Sequence, residues 1–210
     1  MADCWNHNVH YQRLILNAVP PGCGQALDVG CGDGTLVREL AGRCREVTGI
    51  DADDAMIDAA RQNTGGQQFI HADFMKYPFE PESVDFVCAN TSLHHMDFAA
   101  ALGKLAETLR PGGRLAVIGL GKDAKPADWM IATAAVPVNK YYQLRYEEGQ
   151  HPKMPVRQAE LTWEQTRDTA RQILPGARYR RLLLWRYLLL WDKPGGPSPG
   201  ISRPRPTTPR

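Results

Sequence analysis

The sequence predicts an α/β fold built on a mainly parallel sheet. Three observations carry this. Short apolar runs alternate with helical patterns between about residues 26 and 120, the spacing of βαβ units. The first run passes into Gly30-Cys-Gly-Asp-Gly34, a loop placed where a strand would turn into a helix. Two further apolar runs near the C-terminus resemble an antiparallel edge.

The elements follow in order. Trp5 to Leu16 contains an amphipathic helix, with Tyr11, Leu14, Ile15 and Ala18 able to share one face. Ala26–Val29 is a strand that ends in glycines, and Thr35–Ala41 a helix. Glu46–Ile50 is the second strand, closed by Asp51. Asp54–Gln62 is a helix with Asp53 or Asp54 as its N-cap. Gln68–His71 and Val84–Ala89 are the third and fourth strands. Phe98–Leu109 is a helix that Pro111 and Gly112 should stop. Arg114–Leu120 is the fifth strand. Between Gly121 and Leu161 the pattern is irregular. Thr162 caps a helix to about Ile173, with Glu164 and Gln165 in its first turn and Pro175-Gly176 ending it. Tyr179–Leu184 and Tyr187–Trp191 are two strands joined near Trp185-Arg186, or one long strand, because that turn lacks the usual glycine or asparagine.

Composition bounds the rest. The chain has 210 residues, 43% hydrophobic and 23% charged, enough for one domain with its own core. It holds no apolar run of about 18 residues or more, and the N-terminus lacks the pattern of a signal peptide. The five cysteines, Cys4, Cys23, Cys31, Cys44 and Cys88, form no C-x-x-C pair. An odd count without that spacing argues against a disulfide framework or a zinc site and suits reduced thiols in a cytoplasmic protein. Residues 194–210 carry six of the 16 prolines and one large aliphatic residue, Ile201, and read as a disordered tail. Residues 1–193 are then one domain, with a capping helix in 1–20 and an insertion over 121–161.

The glycine loop carries the chemistry. A dinucleotide loop is G-x-G-x-x-G and cradles a pyrophosphate. Here the glycines alternate at Gly30, Gly32 and Gly34, with Asp28 before the loop and Asp33 inside it. Two carboxylates would repel a pyrophosphate and suit a cationic ligand such as a sulfonium or ammonium. Asp51 lies 21 residues after Gly30, where an acidic side chain accepts bonds from ribose hydroxyls; the competing role is a helix cap. Ala52 and Met56 could flank a flat ring. Asp73 and Phe74 follow the third strand, where a carboxylate could accept an adenine amino group beside an aromatic ring, or could simply be solvated.

With these residues in view, the chain resembles a class I S-adenosylmethionine-dependent methyltransferase of the small-molecule type 11 group. The matching segments are Asp28-Val-Gly-Cys-Gly-Asp-Gly34, Asp51, Ala72-Asp73-Phe74, Asn90 to Met96 and Leu109-Arg-Pro-Gly-Gly113, together covering about residues 25–120. The resemblance implies a Rossmann-like, doubly wound sheet of seven strands with the last antiparallel, and a small helical lid. It implies that S-adenosylmethionine is the cofactor, with Asp28, Gly30, Cys31 and Gly32 near its amino acid part. It further places Asp51 on the ribose and Asp73 and Phe74 at the adenine, the ring that Ala52 and Met56 could flank.

Asn90-Thr-Ser-Leu-His-His-Met96 follows the fourth strand, beside the first loop at the point where ligands bind such sheets. Asn90 and Thr91 would touch the methionine end of the cofactor. His94 and His95 titrate nearest neutral pH; one is a general base, or the pair shapes the pocket. A metal on His94, His95 and Asp97 is not expected, since adjacent histidines do not readily share one ion. The acceptor side should come from the 121–161 insertion and its flank, where Trp129, Tyr141, Tyr142, Tyr146 and Trp163 either stack on a flat acceptor or form the core of a helical cap.

The expected reaction is methyl transfer to O, N or C of a small-molecule acceptor. The alternatives are a non-catalytic cofactor-binding module and a methyltransferase for macromolecules. The net charge of +2 offers no nucleic-acid signal: Arg203, Arg205 and Arg210 of the tail account for it, leaving 22 basic and 23 acidic residues elsewhere. No membrane partner is expected, and the oligomeric state is not written in the sequence.

Overall fold

The structure is a computed structural model, and it describes residues 7–62, 65–145 and 159–195. Seven strands form one sheet in the order β3-β2-β1-β4-β5-β7-β6. They are β1 (Gln25–Val29), β2 (Glu46–Asp51), β3 (Gln68–His71), β4 (Val84–Asn90), β5 (Leu109–Gly119), β6 (Arg178–Arg181) and β7 (Tyr187–Asp192). β1 to β5 pair in parallel, and β7 inserts antiparallel between β5 and β6. The strand order reverses between β1 and β4, which opens a crevice at their carboxyl ends.

Among the described residues, six helices surround the sheet: α1 (His7–Leu16), α2 (Thr35–Leu40), α3 (Asp54–Gln62), α4 (Phe98–Thr108), α5 (Pro126–Arg145) and α6 (Trp163–Ile173). Each face carries its own core. On one side Leu27, Val29, Val87, Ala89, Leu115 and Val117 meet α4 and α6 through Leu102, Leu105 and Ala170. On the other, Ala26, Phe86, Cys88, Ala116 and Ile118 meet α1, α2 and α3 through Ile15, Leu36, Val37 and Ile57. The strands between β1 and β5 therefore read as continuous apolar runs, as expected of strands covered on both faces.

Local chemistry explains the helix ends. Asp97 caps α4 by accepting the Ala100 N–H at 2.7 Å. Thr162 and Gln165 form a reciprocal capping box at the start of α6.

Two expectations need correction. Pro111-Gly112 does not lie in a loop after α4; β5 begins at Leu109 and passes through both residues, with a register shift against β4 and a bond from the Gly112 N–H to the Lys193 carbonyl. Proline is tolerated where the ladder is irregular. The insertion is also not irregular at its start, since α5 runs for 20 residues despite Pro137 inside it. Its inward face is apolar at Ala135, and its outward face exposes Trp129, Met130, Val136, Tyr141 and Leu144. A helix apolar on both sides shows no 3.6-residue contrast in sequence. Tyr146 and all but the first two residues of the expected 194–210 tail lie outside the described residues.

Candidate active site

The loop between β1 and α2 is tied to the next strand. The Gly30 and Cys31 N–H groups both donate to the Ile50 carbonyl, at 2.8 and 3.1 Å. Gly30 and Gly32 both have positive φ, 73° and 53°. Their surroundings differ. A Cβ on Gly30 would stand 2.2 Å from the Ser92 Cβ, whereas a Cβ on Gly32 would meet nothing within 4 Å. Gly30 is thus a packing glycine, and Gly32 borders open space large enough for a ligand to approach the backbone. Ser92 is buried and donates through Oγ to the Val29 carbonyl, joining the β4 loop to the end of β1. The sequence reading missed Ser92; its only trace there was a glycine that must admit a close neighbour.

Asp33 and Asp51 shape the loop's electrostatics. Asp33 accepts the Thr35 N–H at 3.1 Å, so the start of α2 already faces a carboxylate. That arrangement disfavours a pyrophosphate there. Asp51, at the carboxyl end of β2, accepts the Gly32 N–H at 2.8 Å and the Asp53 N–H at 2.9 Å. The capping role at α3 belongs to Asp53, which accepts the Met56 N–H at 3.2 Å. Ala52 is exposed at the rim, its carbonyl 3.2 Å from His71 Nε2.

The crevice thus gathers Asp28, Gly30, Gly32, Asp51, Ala52, Asn90 and Thr91 around the carboxyl ends of β1, β2 and β4. Three of the expected site residues turn their side chains elsewhere. Cys31 lies under Gly49, its sulfur 2.8 Å from where a Cβ on that glycine would stand. Met56 is buried on the inner face of α3. The Phe74 ring is only 2% exposed and packs near Phe79, with the Lys104 ammonium over it at 5.3 Å. Each side chain gains more from the core than from the rim. Asp73 stays at the surface, accepting the Met75 N–H at 2.9 Å and pairing with Lys76 at 3.4 Å.

Asp28 is the most perturbed acid of the site. It is 1% exposed and accepts a bond from the Cys88 thiol at 3.4 Å. Burial pushes its carboxyl up to about 7; the Cys88 contact opposes this and the nearby Asp51 charge adds to it. Below about pH 4 the carboxyl is protonated in both the folded and unfolded chain and costs nothing. Between about 4 and 7 the unfolded chain ionises first, so stability falls as pH rises, and the loss is complete above about 7. Its full size is about 4 kcal/mol. Asp28→Asn should therefore gain on the parent in chemical denaturation as pH rises from 4 to 8. A gap that does not widen over that range would refute the buried neutral carboxyl.

At the end of β4, Thr91 has a φ of 61°, unusual for a β-branched residue. Its N–H donates to the Ile118 carbonyl at 2.7 Å, which holds the strained residue in place. Such strain costs about 1–3 kcal/mol and gathers at ligand sites. The following 3-10 turn, Leu93–His95, brings the His94 and His95 rings within 4.0 Å at a tilt of 40°, with His95 exposed and His94 half-buried.

The far side of the crevice is built from distant segments. The amino end of α1 stands over the carboxyl ends of the strands, since the Tyr11 hydroxyl donates to the Leu183 carbonyl in the β6–β7 turn at 2.8 Å. That turn contains Leu184 and Trp185 at positive φ, so non-glycine residues make the tight reversal. The His10 and Tyr142 rings meet edge-on at 4.8 Å, joining α1 to α5. The start of α5 is pinned by Arg181, which pairs with Asp123 at 3.0 Å and with Asp128, and lies 4.2 Å over the Trp163 ring. Trp163 Nε1 donates to Asp123 at 2.7 Å, so it belongs to this clamp rather than to a stacking surface. More than 50 residues separate Arg181 from each aspartate, and no local pattern announces the cluster.

Residues 27–117 match the family model for a methyltransferase domain. An uncharacterized methyltransferase of Mycobacterium tuberculosis is 34% identical over 199 residues, spanning 92% of this chain and all of the relative. The chain belongs to the class I S-adenosylmethionine-dependent methyltransferases. A demethylmenaquinone methyltransferase of Staphylococcus aureus is 32% identical over 127 residues, 57% of this chain and 53% of that one. Among solved structures, the YcgJ protein of Bacillus subtilis aligns with a TM-score of 0.65 at 16% identity, over 90% of this methyltransferase and all of that chain. A phosphoethanolamine N-methyltransferase of Haemonchus contortus, solved with S-adenosylhomocysteine, aligns at 0.61 and 16% identity, over 90% of this chain and 53% of that one.

S-adenosylmethionine is the cofactor of this methyltransferase. Its crevice fits that group: open space at Gly32, the Asp51 carboxylate at the end of β2, and the Asp33 carboxylate in place of a phosphate cradle at α2. Among the described residues, no group of three or more His, Cys, Asp or Glu is placed to hold a metal, and no helix is long and apolar enough to cross a membrane.

Proposed function

We propose that this methyltransferase acts on a small-molecule acceptor, adding a methyl group to its oxygen, nitrogen or carbon. One observation carries the reading. Beside the cofactor crevice, α1 and α5 meet through the His10 and Tyr142 rings and form an aromatic wall. A wall of this kind suits a compact, flat acceptor more than a polymer strand. The name of the demethylmenaquinone methyltransferase supports an acceptor that is not a polymer.

The bound cofactor supplies an electrophilic sulfonium methyl group. The chain's own part is to hold, orient and exclude water. Asp51 would hold the ribose hydroxyls while keeping the Gly32 and Asp53 N–H groups fixed. Gly30, Gly32 and Asp28 would border the amino acid portion, with Asn90 and Thr91 on its other side. Asp73 would face the adenine. Cys31, Ala52, Met56 and Phe74 would offer mainly backbone or packing. His95, or His94 behind it, would take the acceptor's proton or shape the pocket. Residues 1–193 would act as one domain in the cytoplasm, with 121–161 as the lid over the acceptor.

The experiment is turnover with S-adenosylmethionine against three panels: small phenols, carboxylates, amines and quinones; RNA and DNA; and unfolded protein. Methylated product is read by mass spectrometry. Product only in the small-molecule panel is expected. Methylated nucleic acid or protein, with no small-molecule product, would overturn the reading.

A further inference from the structure

The structure brings together two cysteines that the sequence keeps 21 residues apart. Cys23 precedes β1 and Cys44 precedes β2. The two strands pair in parallel with Gln25 opposite Glu46. Each cysteine stands two residues before its member of that pair, so the register places Cys23 and Cys44 side by side. The ladder continues back to them: the Glu46 N–H donates to the Gly24 carbonyl at 2.9 Å, and the Arg45 N–H to the Cys23 carbonyl at 3.2 Å. Neighbouring strands lie about 4.8 Å apart, inside the roughly 4.4–6.8 Å between Cα atoms that a disulfide spans. The two thiols are close enough to influence each other's ionisation, while the Cys23 S–H donates to the Gln25 carbonyl at 3.8 Å.

The surroundings suit reaction. Both side chains are covered, at 6% and 5% exposure, but the cover is thin. Pro21, Gly22, Arg43 and Arg45 beside them are all exposed. The neighbouring Cys23 thiol and the Arg43 charge favour the Cys44 thiolate, against burial. Asp85 opposes ionisation of both thiols, and its carboxylate is engaged by the Gly24 and Gln25 N–H groups and by Arg110. The other two described cysteines differ. Burial pushes the Cys31 and Cys88 thiols up, Asp28 adds to this for both, and Asp51 adds to it for Cys31.

We propose that Cys23 and Cys44 form a dithiol site that a peroxide or a small-molecule disulfide oxidises to a reversible intramolecular disulfide. With a hydroperoxide, Cys44 attacks the terminal oxygen and breaks the O–O bond, giving a sulfenic acid and releasing the alcohol, or water from hydrogen peroxide. The Cys23 sulfur then attacks the Cys44 sulfur, the S–O bond breaks and water leaves. Two thiols and one peroxide thus give one disulfide and two hydroxyl products, with two electrons passed to the oxidant. The bridge closes a loop around β1, the glycine loop and α2. It sits at the amino ends of the strands, away from the crevice. Oxidation therefore braces the segment that carries the cofactor loop without blocking the site.

The test uses the full chain, oxidised with a modest excess of hydrogen peroxide or diamide, then alkylated, digested and fragmented by mass spectrometry. A link between Cys23 and Cys44, reversed by dithiothreitol, is expected. So is a rise of about 5 °C in Tm on oxidation, absent in Cys23→Ser and Cys44→Ser, with S-adenosylhomocysteine affinity of the parent changed less than threefold. A link through Cys31 or Cys88, or oxidation of Cys44 to a sulfinic acid with no link, would overturn the proposal. Should either serine variant fold poorly, linkage mapping on the parent still decides it.

Discussion

Replacing Gly32 by alanine is expected to leave the protein folded while its cofactor affinity falls about 100-fold or more. The new methyl meets no atom of the chain within 4 Å, so the folded state bears only the left-handed backbone strain of φ 53°, about 1 kcal/mol. The ligand bears the rest, because the methyl enters the space through which it approaches the loop. A 100-fold loss corresponds to about 2.7 kcal/mol. Two residues earlier the same substitution should act on the other equilibrium. A Cβ on Gly30 stands 2.2 Å from the Ser92 Cβ at a φ of 73°, and overpacking plus strain should cost about 3–5 kcal/mol of stability. Chemical denaturation and calorimetric titration with S-adenosylhomocysteine separate the two. Parent-like affinity in Gly32→Ala would show that the open space is not the cofactor's.

Asp51→Ala should weaken S-adenosylhomocysteine binding by about 100-fold as well, for a different reason. The carboxylate accepts the Gly32 and Asp53 N–H groups and would add bonds from two ribose hydroxyls. Hydrogen bonds to a charged group are each worth about 1.5–3 kcal/mol. Asp51→Asn keeps the side chain's shape and one acceptor oxygen, so it should recover part of the loop geometry but only a fraction of the affinity. Titration of both variants against the parent, with Tm measured alongside, checks this. Equal affinity in all three would remove Asp51 from the ribose.

The helix Asp54–Gln62 and the strand Gln68–His71 were readable to the residue, because each depends on local signals: a capping aspartate before one, a short apolar run for the other. The start of β5 was not. Pro111 and Gly112 look like a stop in isolation, and only pairing with β4 and Lys193 shows that the strand passes through them. Helix α5 was hidden by apolar residues on both of its faces. In the site, the places of Asp51, Gly30 and Gly32 at the loop and the end of β2 were legible because they follow from spacing along one βαβ unit. Phe74 misled, since an aromatic residue after a strand can face either the rim or the core, and here the neighbouring Phe79 and Lys104 draw it inward.

By itself the sequence determined the alternation of strands and helices, the glycine loop and the acids at the ends of β1 and β2, while the cofactor followed from the family those motifs resemble. These are properties of short segments, where periodicity and turn chemistry act on neighbouring residues. Only the tertiary structure decided which glycine packs and which stays open, and which of the flanking side chains face the core. It alone joined Arg181 to Asp123 and Asp128 around α5, and Cys23 to Cys44 across two strands. Those contacts depend on strand order and register, which bring together residues far apart in the chain and leave no mark in the local pattern of either partner.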